Sequence, residues 1–434
     1  MNSRSARGAD GAGGGSTVTD GGIALVLRRL WKSPALRVTF WHGCGGVAWA
    51  AANLLLARAL SPAEYGRFAL ILALTQIGGS IGPLGADMVV KRRPLAPNSR
   101  LLVRTSLTSG GAGLVVAFAA RVFYGIDAWL ALIVITGCLV GGLNMVASAE
   151  YQGQAKFGPS LVLAQGQAAM LITAAALSVV IGARDADGPA AIYVACYGLL
   201  AAGGWLWLRY AMLPQGLSSD PVPWSDAVAL LAFQSAMLIL VQLDRLVIPR
   251  LLSVSDLATF AVLAAIVGSP LRMLHLGVGY TLIPRLRGAL TVYERRRLVV
   301  REAILVGLVS LLVCVAIWAA TPVLVRSLLH GKYDLSAALV LAALVTGLWK
   351  VVEAFASSAA TAMGEAGELA KLAIGGWGAL ALGAVGGAVG ARWGLVGVVY
   401  GIGLGWLVRA IVGAIIAWPH FHGVEARRWL ETGT

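Results

Sequence analysis

The chain has 434 residues, 58% of them hydrophobic and 12% charged, and its mean hydropathy is +0.80. Water-soluble domains carry about a quarter of their residues as charges, so this balance excludes a water-soluble fold and defines a polytopic membrane protein. The formal charge of +14 is mostly a topology signal that points to anionic membrane lipid as a neighbour and to no nucleic acid.

In chain order, the segment Met1 to Gly22 is polar and glycine-rich, too poor in apolar side chains to fold. "IALVLRRLWKS" follows, with Ile23, Val26, Leu27, Leu30 and Trp31 on one helical face and Arg28, Arg29 and Lys32 off it, the pattern of a short interfacial helix. Twelve apolar runs long enough to cross about 30 Å of hydrocarbon come next. They lie near 38–58, 67–89, 104–122, 128–148, 160–182, 189–210, 227–249, 257–281, 299–321, 335–357, 369–390 and 394–417.

Placing both ends on one side puts most of the 34 Lys and Arg there, including "KRRPLAPNSR" at 91–100 and "YERRRLVVR" at 293–301. By the positive-inside rule that side is the cytoplasm. The expected organisation is a tail plus interfacial helix at 1–37, a six-helix lobe at 38–212, a linker at 213–226, a second six-helix lobe at 227–417 and a tail at 418–434. Cys44, Cys138, Cys196 and Cys314 all fall in apolar runs with no paired spacing, so neither a metal site nor a cofactor is expected.

An internal repeat relates the halves. "ARALSPAEYGRFALILAL" from Ala57 and "PRLLSVSDLATFAVLAAI" from Pro249 align without gaps: Arg58, Leu60, Ser61, Phe68, Ala69 and Ala73 match Arg250, Leu252, Ser253, Phe260, Ala261 and Ala265, and Glu64 matches Asp256. An even number of spans separates the copies, so the lobes share an orientation and are related by an axis along the membrane normal, around a central cavity.

The run "LLLARALSPAEYGRFALILALTQ" resembles the first-to-second helix signature of bacterial polysaccharide-transport proteins, the Wzx-type flippases of the multidrug/oligosaccharidyl-lipid/polysaccharide exporter superfamily. "LDRLVIPRLLSVSDLATFAVLA" is similar to their seventh-to-eighth helix signature, although Thr259 and Phe260 stand where the family often has Gly-aliphatic-Tyr. "AEYQGQAKFGPSLVLAQ" and "GLVGVVYGIGLGW" resemble the fourth-to-fifth connection and the last helix. The resemblance implies translocation of an undecaprenyl-diphosphate-linked oligosaccharide across a bacterial inner membrane for exopolysaccharide, capsule or O-antigen synthesis. Polysaccharide polymerase and chain-length proteins are the further partners it suggests.

A charge at the centre of a bilayer helix costs about 2.5 to 3.5 kcal/mol on insertion scales, so the mid-span charges are candidate site residues. On the seventh span Gln234, Ser235, Gln242 and Arg245 fall within about a quarter-turn at about 100° per residue, with Asp244 about 100° off that stripe. Arg245 is therefore expected in a polar cavity and Asp244 against another helix, in a structural or coupling role. Arg272, Lys350 and Arg409 each lie about 15 residues from the outer ends of their spans, or about 22 Å. Such a ring suits a diphosphate, which Arg binds in bidentate fashion. Each has an alternative: Glu353 one turn from Lys350 neutralises it, Arg409 snorkels to the interface, and His275, on the Arg272 face, is a satisfied buried histidine. Asn53, Gln76, Asn144, Gln165 and Gln167 supply the first half's mid-span polar groups, suited equally to sugars and to neighbouring helices.

Pro83, within "GGSIGPLG", and Pro270 are expected to bend or break their spans and serve as hinges. Gly397, Gly401 and Gly405 form a small-residue face. No nucleophile-base pair or metal cluster is visible, which favours a transporter over an enzyme. The rivals are a drug/cation antiporter of the same superfamily, with Asp244 or Glu353 as its coupling carboxylate, and a membrane glycan polymerase, which lacks its usual large outer loop here.

Overall fold

The computed structural model describes residues 34–92, 98–154, 156–211 and 224–422. The polar tail, the interfacial helix, residues 213–223 of the 213–226 linker and the tail beyond His422 lie outside the described residues, and the last three linker residues, 224–226, open a helix.

Ser61, Asn98, Asp127, Ser253, Thr291 and Ser336 each accept a backbone N–H of the first helical turn, so the helix starts are written by capping residues. The first lobe contains α1 (Pro34–Ala59), α2 (Pro62–Ile81), α3 (Ala86–Arg92), α4 (Ser99–Tyr124), α5 (Ala128–Gly153), α6 (Phe157–Val180) and α7 (Asp187–Ala211). The second contains α8 (Trp224–Leu251), α9 (Val254–Leu263), a π-turn at Ala264–Gly268, α10 (Ser269–Gly288), α11 (Val292–Leu329), α12 (Ala337–Met363), α13 (Ala366–Gly390), α14 (Gly394–Ala417) and a short α15 (Pro419–His422). Helices of about 24 residues rise about 36 Å, enough to cross a bilayer with every interior backbone group bonded within the helix.

Among the described residues eight helical stretches are long and apolar enough to cross a membrane, and one of them, Gly367–Ala417, contains the whole α13–α14 hairpin. The chain is an all-α polytopic membrane protein whose helices form two lobes. One expectation is adjusted, and the expected break of the second span around Pro83 is present. "YERRRLVVR" is not a loop but the opening turns of α11, which the Thr291–Glu294 capping box starts early. The second span is broken in two, α2 and α3, at 82–85, where Leu84 (φ 51°) and Gly85 (φ 79°) are left-handed and Pro83 withholds a backbone donor.

The two copies of the internal repeat meet. Ser61 caps α2 by accepting from Glu64 N, Ser253 caps α9 by accepting from Asp256 N, and α2 packs along α9. A Cβ added at Gly66 of α2 would strike the Val254 carbonyl of α9. Contact between equivalent elements fits a two-fold axis that passes between these turns.

The core divides along the molecule. At the end carrying Tyr65 and Leu257 one hydrophobic core joins both lobes. At the other end it splits into one group around Val90, Val146 and Trp205 in the first lobe, reached by Ala227 of α8, and another around Val278, Leu286 and Leu372 in the second. The joined end is tied across: the Tyr333 hydroxyl and Lys332 Nζ both donate to the Ala57 carbonyl (3.0 and 3.2 Å), Lys332 also reaches the Leu60 carbonyl, and Tyr124 donates to the Leu246 carbonyl at 2.9 Å.

Candidate functional site

The seventh span behaves as its periodicity predicts. Gln242 and Arg245 share a face of α8, and Arg245 Nη1 donates to Gln242 Oε1 at 3.4 Å. Gln242 in turn donates to Gln76 Oε1 of α2, so this polar stripe lies where the lobes adjoin. Gln234 is half-buried on the same helix, and Ser235 turns back to the Leu231 carbonyl. Asp244 is buried on a different face and interacts electrostatically with Lys350 of α12 as well as with Arg245.

Arg245, Arg272 and Lys350 form one electrostatic group. Each lies close enough to the other two for mutual repulsion, and Asp244 is the carboxylate that acts on both Arg245 and Lys350. None of the three cations has a carboxylate within 4 Å among the described residues. Arg272 is exposed on α10 yet also interacts with His42 of α1, so it stands beside the first lobe. Lys350 Nζ sits 5.1 Å from the centre of the Trp406 ring, which supplies a cation–π contact in place of an ion pair.

Arg409 departs from the expected ring. It is buried, its Nε bonds Glu353 Oε1 at 2.6 Å, and its Nη1 lies against Gly376 of α13. Its charge is matched inside the second lobe, and it does not snorkel. Glu353 therefore neutralises Arg409 and not Lys350, because it also accepts from Ser357 one turn on and is drawn towards α14. His275 is half-buried, shares a hydrogen bond of 2.7 Å with the Lys350 carbonyl, has Glu353 Oε2 at 3.9 Å and meets Trp406 edge to face, so it has structural partners. Pro270 lies in the first turn of α10, directly after the π-turn that offsets this helix from α9.

A cavity of about 380 Å³ adjoins this group in the first lobe. Gly137, Gly141, Asn144, Met145, Ser148 and Gln152 of α5 form one wall, and α2 contributes Thr75, Gln76 and Ser80. The positions on α5 recur every three or four residues over about 22 Å of helix. That small-and-polar stripe is legible in the sequence as Gly-x₃-Gly-x₂-Asn-x₃-Ser-x₃-Gln, and reading only for charges misses it. Gln76 belongs to both the stripe on α8 and this cavity, so it links the two regions.

Two lobes of membrane helices thus border a polar, cation-rich region. Solved structures share the fold. A multidrug resistance MATE family transporter of the MOP superfamily, in an inward-facing conformation, superimposes with a TM-score of 0.59 at 13% identity over 88% of this chain and 96% of its own. The lipid II flippase MurJ, in an inward closed conformation, gives 0.60 at 11% identity over 90% and 87%. The eukaryotic MATE transporter AtDTX14 gives 0.56 at 14% identity over 90% and 99%. These neighbours are transporters and flippases, not enzymes. No family model matches the sequence, and no curated protein matches it significantly.

Proposed function

We propose that the protein is a flippase for an undecaprenyl-diphosphate-linked oligosaccharide in a bacterial inner membrane. It works by alternating access between the lobes, with both termini in the cytoplasm. The observation that carries this reading is the surplus of positive charge between the lobes. Arg245, Arg272 and Lys350 interact electrostatically with one another, with Asp244 as their neighbouring acid, while Glu353 is committed to Arg409. Unpaired charge inside a membrane is unfavourable, and a diphosphate of about two negative charges neutralises the surplus through charge-assisted, bidentate contacts.

The same surplus repels an organic cation, so the drug/cation antiporter reading is the weaker one despite the MATE neighbours. The divided core supports the cycle: one core joins the lobes where Tyr65 meets Tyr333, and the core divides at the end bearing Lys91 and Arg285. The positive-inside rule places that Arg- and Lys-rich end in the cytoplasm.

The test is leaflet exchange of a fluorescent undecaprenyl-diphosphate glycan in liposomes. Wild type exchanges it faster than protein-free liposomes, and Arg245→Ala and Arg272→Ala, folded and inserted, lose most of that rate. No exchange by wild type under several ion gradients, together with export of an organic cation, would sink the proposal.

A further inference from the structure

We infer that the α5 wall of the first-lobe cavity is a carbohydrate subsite, built for an uncharged pyranose ring and separate from the cations that meet the diphosphate. This deepens the flippase reading and rests on it.

The argument begins with the chemistry of the lining. Gln76, Asn144, Ser148, Gln152, Ser160 and Gln167 present amides and hydroxyls, groups that both donate and accept, as sugar hydroxyls do. No carboxylate lines the cavity among the described residues. Lys91, at one end, is held by Asp87 at 3.6 Å. An organic cation thus finds no counter-charge here. A neutral, hydroxyl-rich ring finds many partners, and the one charge at the rim, Lys91, has its own carboxylate.

Aromatic groups close the cavity. Tyr193 and Tyr197 of α7 stack with centroids 5.7 Å apart and planes 20° apart. Their hydroxyls are fixed by amides: Gln167 Nε2 donates to Tyr193 at 2.8 Å and Asn144 Nδ2 to Tyr197 at 3.2 Å. Rigid aromatic bodies with positioned polar tips suit a ring whose faces are apolar C–H and whose rim is hydroxyl.

An unmet acceptor marks the wall itself. Asn144 spends its amide protons on the Leu163 carbonyl at 3.1 Å and on Tyr197, which leaves Oδ1 buried and without a partner among the described residues. Buried polar atoms are nearly always paired, and a sugar hydroxyl would supply the donor after a rotation of the Asn144 amide, because Oδ1 is closed to solvent in this conformation. The volume of about 380 Å³ falls within the range of small-ligand sites. Because Gln76 spans from this wall to Gln242 beside Arg245, a sugar on α5 and a diphosphate at Arg245 can belong to one bound molecule.

The test uses the full-length protein in liposomes and an undecaprenyl diphosphate bearing a diazirine-labelled neutral disaccharide. Photolysis followed by peptide mapping is expected to place label on 137–167 and 193–197. Gln167→Leu, compared with wild type at equal amounts of folded, inserted protein, should reduce that labelling about fivefold to tenfold, the scale of one hydrogen bond. Label confined to the second lobe, label on lipid-facing surfaces only, or yield unchanged in Gln167→Leu would overturn the subsite. Leaflet exchange in the same liposomes separates the two readings. Label on α5 without exchange leaves the subsite standing and removes the flippase. Exchange with label elsewhere does the reverse.

Discussion

Arg409 on α14 and Glu353 on α12 form a buried ion pair, Nε to Oε1 at 2.6 Å, that fastens two helices of the second lobe. Removing one member of such a pair strands a charge. Arg409→Leu or Glu353→Gln should cost about 3 to 5 kcal/mol of stability, and the double variant Arg409→Leu/Glu353→Leu should cost clearly less than either alone. Thermal unfolding in detergent measures this, and single variants as stable as wild type would show the pair to be dispensable.

Lys350 and Asp244 are linked by charge without a close ion pair. Replacing Lys350 by Met leaves Asp244 buried beside Arg245 alone, and a second change, Asp244→Asn, relieves it. A double-mutant cycle on melting temperature should give a coupling of about 1 kcal/mol or more. Strict additivity would mean that the two side chains are energetically independent.

The contact of Lys332 and Tyr333 with the end of α1 holds the joined end of the lobes together. Tyr333 is also packed edge to face on Tyr65, whose hydroxyl donates to Asn53 at 3.1 Å. Lys332→Ala/Tyr333→Phe should loosen this end. With a reporter cysteine at the buried position Asn53, labelling by a membrane-impermeant maleimide is expected to speed up several-fold in the double variant. An unchanged rate would assign the seal to the apolar contacts alone.

Gly386 and Gly401 bring α13 and α14 together so closely that a Cβ on Gly401 would meet the Gly386 carbonyl, and Gly390 faces Gly397 in the same register. Gly401→Ala should destabilise the hairpin by about 1 to 3 kcal/mol. Gly378→Ala, on α13 with nothing within 4 Å, is the control and should be neutral or slightly stabilising, since Ala is the better helix former. Equal melting temperatures for the two variants would remove the close-packing account.

At the break between α2 and α3, Gly85 is left-handed, and a Cβ there would strike the Ala227 carbonyl of α8. Leu84 is left-handed too, at a cost that glycine avoids. Gly85→Ala should therefore lower the melting temperature while Leu84→Gly preserves or raises it. A reversed order would show that the turn is held by other forces.

The sequence by itself determined the solvent, the helical class, the spans and the repeat, because each rests on local or periodic information. Apolar run length gives a crossing, Pro83 among glycines gives the break at 82–85, and the Ser61 and Ser253 caps give two equivalent turns. It also put Arg245 and Gln242 on one face, since helical periodicity alone places residues three apart together. Only the tertiary structure decided which charges are matched. Lys350 and Glu353 are one turn apart on α12, yet Glu353 turns to Arg409, a residue 56 positions away on α14, and Lys350 sits over the Trp406 ring. The cavity that the α5 stripe borders is likewise a product of assembly. Asn144, Gln167 and Tyr197 are ordinary polar residues in apolar runs until α5, α6 and α7 pack side by side and converge them on one cavity. Pairing across helices depends on depth, rotation and the approach of backbones, and these are set by how whole helices pack, which no single stretch of sequence encodes.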